Sequence, residues 1–316
     1  MAAVNCVVCD SENNHHLLIK NSFEIFECLN CNAFFVYPRP SEEELRLIYS
    51  FSKGYFKNNR FDPNAAIDDL TKKKIKWLTD SSGNMLDVGC GTGSYMHWCK
   101  AEGVECTGID VNPDIVEYCI KKGLDVRNST LEKFEGPPGF YDAINLGDIV
   151  EHVLDPISFL KQCNNLLKSG GKMVITTPNK NCFFSNYQLF IGKWFGIPSG
   201  HLTPPYHLTE FSDINLEKLL DDCGYKVNEI HYSSISLFYS IHATGLISED
   251  LRAMLQFKLN IKNLSFSLLK SIIQVFTATL LYTLGFFLAS LINLFRKRKN
   301  SMTFFCNKYK STTIDY

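Results

Sequence analysis

Met85-Leu-Asp-Val-Gly-Cys-Gly-Thr-Gly-Ser94 carries an apolar, strand-like run into three glycines at alternate positions, Gly89, Gly91 and Gly93, and then into helix-like sequence. Glycine is what a sharp strand-to-helix turn requires where the backbone must approach a ligand closely, and the N–H groups that open the following helix suit an anion. The pattern predicts a nucleotide-type cofactor. Spacing narrows the choice. A dinucleotide fingerprint, counted from Gly89, requires glycine where Ser94 stands, and a phosphate-cradling loop would end in Gly-Lys-Ser/Thr where this chain has Gly93-Ser94-Tyr95.

Asp87-Val-Gly-Cys-Gly-Thr-Gly93 resembles the glycine turn of class I S-adenosylmethionine-dependent methyltransferases, and the segments around it agree. Thr107-Gly-Ile-Asp110 is similar to the second strand of that domain and ends in an acid suited to both ribose hydroxyls. Tyr141–Leu146 and Gly171–Asn179 are similar to its fourth and fifth strands. Ser158–Leu167 reads as the helix between them, with Gly170 and Gly171 as its stop. The resemblance implies a seven-stranded Rossmann-like α/β sheet. It also implies that Asp87, Gly89, Cys90, Gly91 and Gly93 surround the methionine moiety, Asp110 and Val111 the ribose, and Ser129, Thr130 and Leu131 the adenine, with Asn145 and Leu146 beside them. A doubly wound domain whose turn binds nothing is the plainer alternative.

Twelve cysteines divide into two groups. Cys6-Val-Val-Cys9 and Cys28-Leu-Asn-Cys31 are two C-x-x-C knuckles separated by residues 10–27, a spacing that presents four thiolates to one zinc ion with hairpin strands between. A redox pair needs only one such knuckle. Four sulfurs close the coordination sphere, so the expected zinc is structural and supplies folding free energy to a lobe too small to rely on its own core. His15 and His16, in a polar stretch between the knuckles, are expected in solvent. The remaining cysteines, from Cys90 to Cys306, show no pairing pattern. No secretory signal opens the chain, so reduced thiols and a cytoplasmic setting are expected.

The ribbon is followed by Ala33-Phe-Phe-Val-Tyr-Pro-Arg-Pro40, the capping box Ser41-Glu-Glu-Glu44, and the aromatics Tyr49, Phe51, Tyr55 and Phe56. Residues 6–232 thus resemble the zinc-ribbon class I methyltransferases associated with modification of sugars, surface polysaccharides and small molecules. Asp148-Ile-Val-Glu-His-Val-Leu-Asp-Pro156 is similar to that family's Glu-His-x-x-Asp-Pro segment. In ubiquinone-biosynthesis O-methyltransferases the related segment is linked to a divalent cation, so Asp148, Glu151 and His152 are candidates to hold magnesium. The plainer reading has Glu151 and His152 orienting a helix and its neighbouring loops.

Methyl transfer needs in-line positioning, and a base only where the nucleophile must lose a proton. His207, His201 and His152 are the candidates. The first two lie six residues apart in Gly200–Ser212, and Glu210-Phe211-Ser212 after His207 fits the family's His-x-x-x-Phe-Ser segment bordering the substrate pocket. Thr203-Pro-Pro-Tyr206 imitates the Pro-Pro-aromatic turn of amino-methyltransferases of nucleic-acid bases, but follows the fifth strand rather than the fourth. A net charge of -1 and the lack of a basic stripe argue against a nucleic-acid partner.

The chain of 316 residues is 45% hydrophobic and 21% charged, enough for one full core with small attachments. Residues 1–40 read as the ribbon, 41–80 as a helical linker, 81–180 as the cofactor core, and 181–245 as a substrate-side loop, helix and sixth strand. Residues 246–300 read as an apolar helical insertion and 301–316 as the last strand and tail. Ser271–Phe295 holds no charge and precedes Arg296-Lys-Arg-Lys299. A single crossing would strand the last β-segment on the wrong side of a bilayer. A hairpin or interfacial helices over 264–299 at the cytoplasmic face are expected instead, with burial in an oligomer interface as the alternative. The whole reads as an O-methyltransferase of a small molecule, sugar or lipid-linked acceptor. The alternatives are an inactive membrane-recruited scaffold and an enzyme that methylates carbon or nitrogen.

Overall fold

The computed structural model describes residues 4–20, 22–45, 67–80, 83–183, 185–187, 204–234, 277, 280, 284–285, 288 and 299–312. Two compact units divide the chain. One comprises residues 1–177, 204–231 and 303–316, and the other residues 178–203 and 232–302.

The first unit starts with a hairpin, β1 (Asn14–Lys20) and β2 (Phe23–Cys28), followed by β3 (Phe34–Tyr37). All three run antiparallel, and β9 (Thr209–Glu210) completes this small sheet in the order β1-β2-β3-β9. His15 and His16 belong to β1 rather than to a loop. Both are exposed, and His16 sets its ring edge against Phe26 at 5.4 Å.

The second sheet is built from β4 (Asn84–Val88), β5 (Glu105–Asp110), β6 (Asp125–Asn128), β7 (Tyr141–Gly147), β8 (Leu167–Pro178), β10 (Tyr225–Ser233) and β11 (Ser301–Lys308). Its order is β10-β11-β8-β7-β4-β5-β6, and the five strands from β6 to β8 run parallel. Strand order reverses at β4. Ligands of open α/β sheets bind outside the carboxyl ends of strands at such a reversal. This is the seven-stranded Rossmann-like sheet expected above.

Helices α1 (Asp69–Thr79), α2 (Ser94–Ala101), α3 (Pro113–Lys121), α4 (Pro156–Leu166) and α5 (Asp213–Asp222) accompany it. Side chains cap four of these five. Asp68, Asn112, Asp155 and Ser212 each accept from backbone N–H groups of the first turn, and Pro113 and Pro156 preset the start of α3 and α4. Only α2 starts without a side-chain cap, on Gly93 at φ 77°. Its first N–H groups are therefore left for something else.

The core lies where Ile75 and Leu78 of α1 and Cys99 of α2 meet Met85, Ala143, Val174 and Phe305 of the sheet. Met96 of α2 and Ile115, Val116 and Cys119 of α3 pack beneath Cys90 with Val126. Burying each such side chain contributes about 1.5–3 kcal/mol. The end of α4 is closed differently from the reading of Gly170 and Gly171 as a stop. The helix stops at Leu166, and the Lys308 ammonium donates to the carbonyls of Asn164 (2.7 Å) and Leu167 (2.9 Å). The two glycines fall inside β8, where the pairing with β7 slips between Tyr141 and Ala143. They make a bulge and do not cap the helix.

In the second unit the Asn179 side chain donates to the Lys299 carbonyl at 3.1 Å, and its N–H to the Asn300 carbonyl at 2.8 Å. Phe183 and Tyr187 stack at 6.1 Å. Most of 264–299 lies outside the described residues, and no helix among the described residues is long and apolar enough to cross a membrane. His201 and the aromatics Tyr49, Phe51, Tyr55 and Phe56 also lie outside them.

Candidate active site

The glycine turn closes on β5. The N–H groups of Gly89 and Cys90 both donate to the Ile109 carbonyl, at 2.8 and 3.1 Å. Gly89, Gly91 and Gly93 have φ of 65°, 51° and 77°, the left-handed region where a side chain is strained. Their surroundings differ. A Cβ on Gly89 would lie 2.2 Å from Ile149 Cδ1 and one on Gly93 2.3 Å from Leu124 Cδ1, whereas one on Gly91 would meet nothing within 4 Å. Protein packing therefore accounts for the first and third glycines, and Gly91 faces open space beside the uncapped start of α2.

Two carboxylates belong to β4 and β5, the strands that the turn joins. Asp110 accepts the Gly91 N–H on Oδ2 (3.0 Å) and the Asn112 N–H on Oδ1 (2.9 Å), so it holds the turn. Burial raises its pKa, against the pull of those N–H groups. Asp87 is 2% exposed and, among the described residues, receives one hydrogen bond, from Asn145 Nδ2 at 2.8 Å. Burial, only partly offset by that amide and reinforced by the charge of Asp110, pushes it up to about 7. A buried acid with a single neutral donor is a site for a cation. The α-ammonium of S-adenosylmethionine at Asp87 and its ribose at Asp110 fit these residues. Val111 follows Asp110, Ser129–Leu131 follow β6 with Leu131 buried, and Leu146 is buried in β7 next to Asn145.

A lysine joins them that sequence reasoning passed over. Lys74 of α1 is 8% exposed, forms no hydrogen bond or ion pair among the described residues, and places Nζ over the Tyr95 ring at 5.8 Å. Burial lowers its pKa, with Asp148 and Asp68 countering. It looks like one member of the run Lys72-Lys73-Lys74, but it shares a helical face with Ile75 and Leu78, and that periodicity was the available signal.

Beyond β7 the chain turns at Asp148, a non-glycine residue at φ 55°, and Ile149 packs on Gly89. Residues 148–152 thus abut the cofactor turn. Glu151, His152 and His207 converge, with one ligand-type atom from each inside a 4.8 Å span. Glu151 is 1% exposed. Its Oε2 accepts from Thr177 Oγ1 at 2.9 Å, while Oε1 has no hydrogen-bond partner among the described residues and lies 3.8 Å from His152 Nε2. Burial, reinforced by the charge of Asp148, raises the Glu151 pKa well above its usual value. His152 sets Nδ1 against the Tyr206 carbonyl at 2.9 Å, which assigns the proton to Nδ1 and makes Nε2 the basic atom. Burial lowers its pKa and keeps the ring neutral. The rings of His152 and His207 meet edge to face at 4.7 Å. Asp148 is not part of this cluster among the described residues. Two imidazoles and one carboxylate are a poor match for magnesium, which prefers oxygen ligands.

The four knuckle cysteines also converge. Cys6 and Cys31 Sγ are 3.6 Å apart, as are Cys9 and Cys28 Sγ, close to the edge of about 3.8 Å of a tetrahedron with zinc–sulfur bonds of about 2.3 Å. The N–H groups of Val8 and Cys31 point at Cys6 and Cys28 sulfur, at 3.4 and 3.5 Å. The hydrogen bond with Cys31, helped by the Val8 and Cys9 N–H groups, lowers Cys6 to about 5. The set fits a structural zinc ion held by Cys6, Cys9, Cys28 and Cys31.

A family model described as a methyltransferase domain matches residues 58–230. A ubiquinone biosynthesis O-methyltransferase of Pseudomonas paraeruginosa is 30% identical over 126 residues, covering 36% of this chain and 54% of that protein. Its counterpart in Marinobacter nauticus is 31% identical over 140 residues, covering 41% and 59%. The chain thus spans little more than half the length of the curated relatives it matches. Among solved structures, the [4+2]-cyclase SpnF aligns over 86% of this chain and 98% of its own, with a TM-score of 0.52 and 15% identity, a likeness of fold. The family match covers more than half of the sequence, and the glycine turn, Asp87 and Asp110 suit the cofactor that family uses. The chain belongs to the methyltransferase-domain family, the class I methyltransferases that depend on S-adenosylmethionine.

Proposed function

We propose that this chain methylates a hydroxyl of a small molecule, sugar or lipid-linked acceptor, with the His152–His207 pair receiving the acceptor's proton. The observation that carries the reading is the convergence of Glu151, His152 and His207 on a segment packed against the cofactor turn. S-adenosylmethionine, when bound, supplies an electrophilic methyl group and a thioether leaving group. Asp87 would hold its ammonium, Lys74 its carboxylate and Asp110 its ribose. His152, held by the Tyr206 carbonyl and lying beside Glu151, presents an unprotonated Nε2. Transfer of the methyl group to the acceptor oxygen would release the neutral thioether, and the hydroxyl proton would pass to an imidazole of the His152–His207 pair.

The relatives' printed name supports oxygen as the nucleophile and a hydroxylated, isoprenoid-bearing acceptor as one candidate. The membrane reading of 264–299 draws support from Leu280, Leu284 and Leu288, helical residues spaced by four and 60, 50 and 38% exposed. Such a stripe suits the surface of a bilayer. Labelled S-adenosylmethionine offered with hydroxylated phenols and sugars tests the chemistry. H207Q and H152Q should each reduce kcat at least about 100-fold without changing the KM for the cofactor. Full activity in both would remove the histidine base.

A further inference from the structure

The ribbon does not end with the hairpin that carries its sulfurs. Its fourth strand is β9, and the register sets Phe34 opposite Glu210 and Phe35 opposite Thr209. The Val36 N–H donates to the Leu208 carbonyl at 3.0 Å. On the opposite side, the N–H groups of Leu208 and Thr209 both donate to the Glu151 carbonyl, at 2.8 and 3.1 Å. Residues 208–209 are therefore gripped between the ribbon and the segment that bears Glu151 and His152.

Two side chains reinforce the grip. Arg39 Nη2 donates to Thr209 Oγ1 at 2.7 Å, while its Nε and Nη1 are buried without a partner among the described residues. Asn215, reciprocally bonded with Ser212 in the α5 capping box, donates from Nδ2 to the carbonyl of Cys31, a knuckle cysteine, at 3.2 Å. An arginine retained with two unsatisfied buried donors contributes little to stability, which points to a geometric duty. His207 adjoins Leu208, whose N–H is held by the Glu151 carbonyl and whose carbonyl is held by the Val36 N–H, so a slip of one residue at β9 would displace His207 from His152. A strand of two residues cannot hold that register alone. It depends on β3, which starts three residues after Cys31. The cofactor turn is tied instead to β5 and Asp110.

We propose that the metal-loaded ribbon is part of the methyl-transfer site, positioning His207 through the β3–β9 pairing and Arg39, so that metal at Cys6, Cys9, Cys28 and Cys31 sets the acceptor side and leaves cofactor binding intact. This rests on the reading of His207 as an acceptor-side group. Arg39 acts through Thr209 and is a positioning residue.

The test uses the full chain with labelled histidine rings, stripped of zinc by a chelator and then reloaded. On stripping, amides of 34–37 and 207–211 should lose protection together, exchanging at least about 100-fold faster, and the His152 and His207 ring signals should move. Affinity for S-adenosylmethionine should stay within about threefold, and zinc should restore all signals. The proposal is overturned if 207–211 and both rings are unchanged while the ribbon loses protection, or if cofactor affinity is lost with the metal. R39M, which keeps the metal site, provides the second arm. The His207 signal should move and exchange at 207–211 should rise at least about tenfold, with R39K recovering half or more. Unmoved signals in R39M overturn the positioning duty. Methyl transfer by H207Q reports separately on the base, so a ribbon that moves His207 in an enzyme indifferent to H207Q identifies failure of the base assignment alone.

Discussion

Asp87→Asn tests whether the cofactor site is built around a buried charge that the protein alone does not satisfy. Asp87 is 2% exposed, receives only the Asn145 amide among the described residues, and has its pKa raised by burial from 3.8 to about 7. At 1.36 kcal/mol per decade, ionising it in the folded state costs about 4 kcal/mol. The folded state holds the proton more tightly than the unfolded one. Stability of the cofactor-free protein therefore falls as pH rises from about 4 to about 7 and levels off above. The asparagine keeps an oxygen for Asn145 and cannot ionise. At pH 8 the variant should be more stable than the parent by about 2–4 kcal/mol, and at pH 4 the two should agree within about 0.5 kcal/mol. Urea titration of the cofactor-free proteins at the two pH values measures this. Cofactor binding should respond in the opposite sense. Parent affinity should rise about 30-fold from pH 5.5 to pH 8 as Asp87 gives up its proton to meet the ammonium, while the variant should be weak and flat across that range. A variant destabilised equally at both pH values would refute the account of Asp87 as an unsatisfied acid.

Gly91→Ala should cost only about 1–2 kcal/mol of stability, since its Cβ meets no protein atom within 4 Å, yet weaken the cofactor at least about 100-fold by calorimetry. Equal affinity would mean the open space is not the cofactor's. Lys74→Met should weaken S-adenosylmethionine about tenfold. In the parent the lowered Lys74 pKa means that the unfolded state binds the proton more tightly, so stability rises with pH toward 10.5, and the methionine variant should lose that rise in alkaline melts. Glu151→Gln should be more stable than the parent in the alkaline range, because the raised carboxyl no longer has to ionise in its buried site. Urea midpoints at pH 6 and pH 9 would expose the opposite result.

What the sequence made legible is local. The three glycines act through their own left-handed backbone and the four knuckle cysteines through a repeat of fixed spacing. Their backbone demands can therefore be read from residue type alone. The Ser212 cap of α5 was legible for the same reason. The contacts that were not legible join distant segments. Thr209 and Glu210 carry no strand signal in two residues and become β9 only because Phe34–Val36 offer an open edge. Arg39 reads as a surface cation in a proline turn until Thr209 arrives, 170 positions later. Gly170 and Gly171 match a helix stop as well as a bulge, and the Lys308 ammonium at the end of α4 decided between them. The pairing of His152 with His207 likewise depends on the Glu151 carbonyl holding residues 208–209.

Calorimetric titration of the zinc-loaded chain with S-adenosylmethionine, with its demethylated product and with NADH tests the central claim most directly. Saturable one-to-one binding of the first two, lost in a variant with Asp110 replaced by Ala, and none of NADH, is the result expected from a glycine turn whose Gly91 faces open space and is tied to Asp110. A folded chain that binds neither sulfur compound would contradict the account.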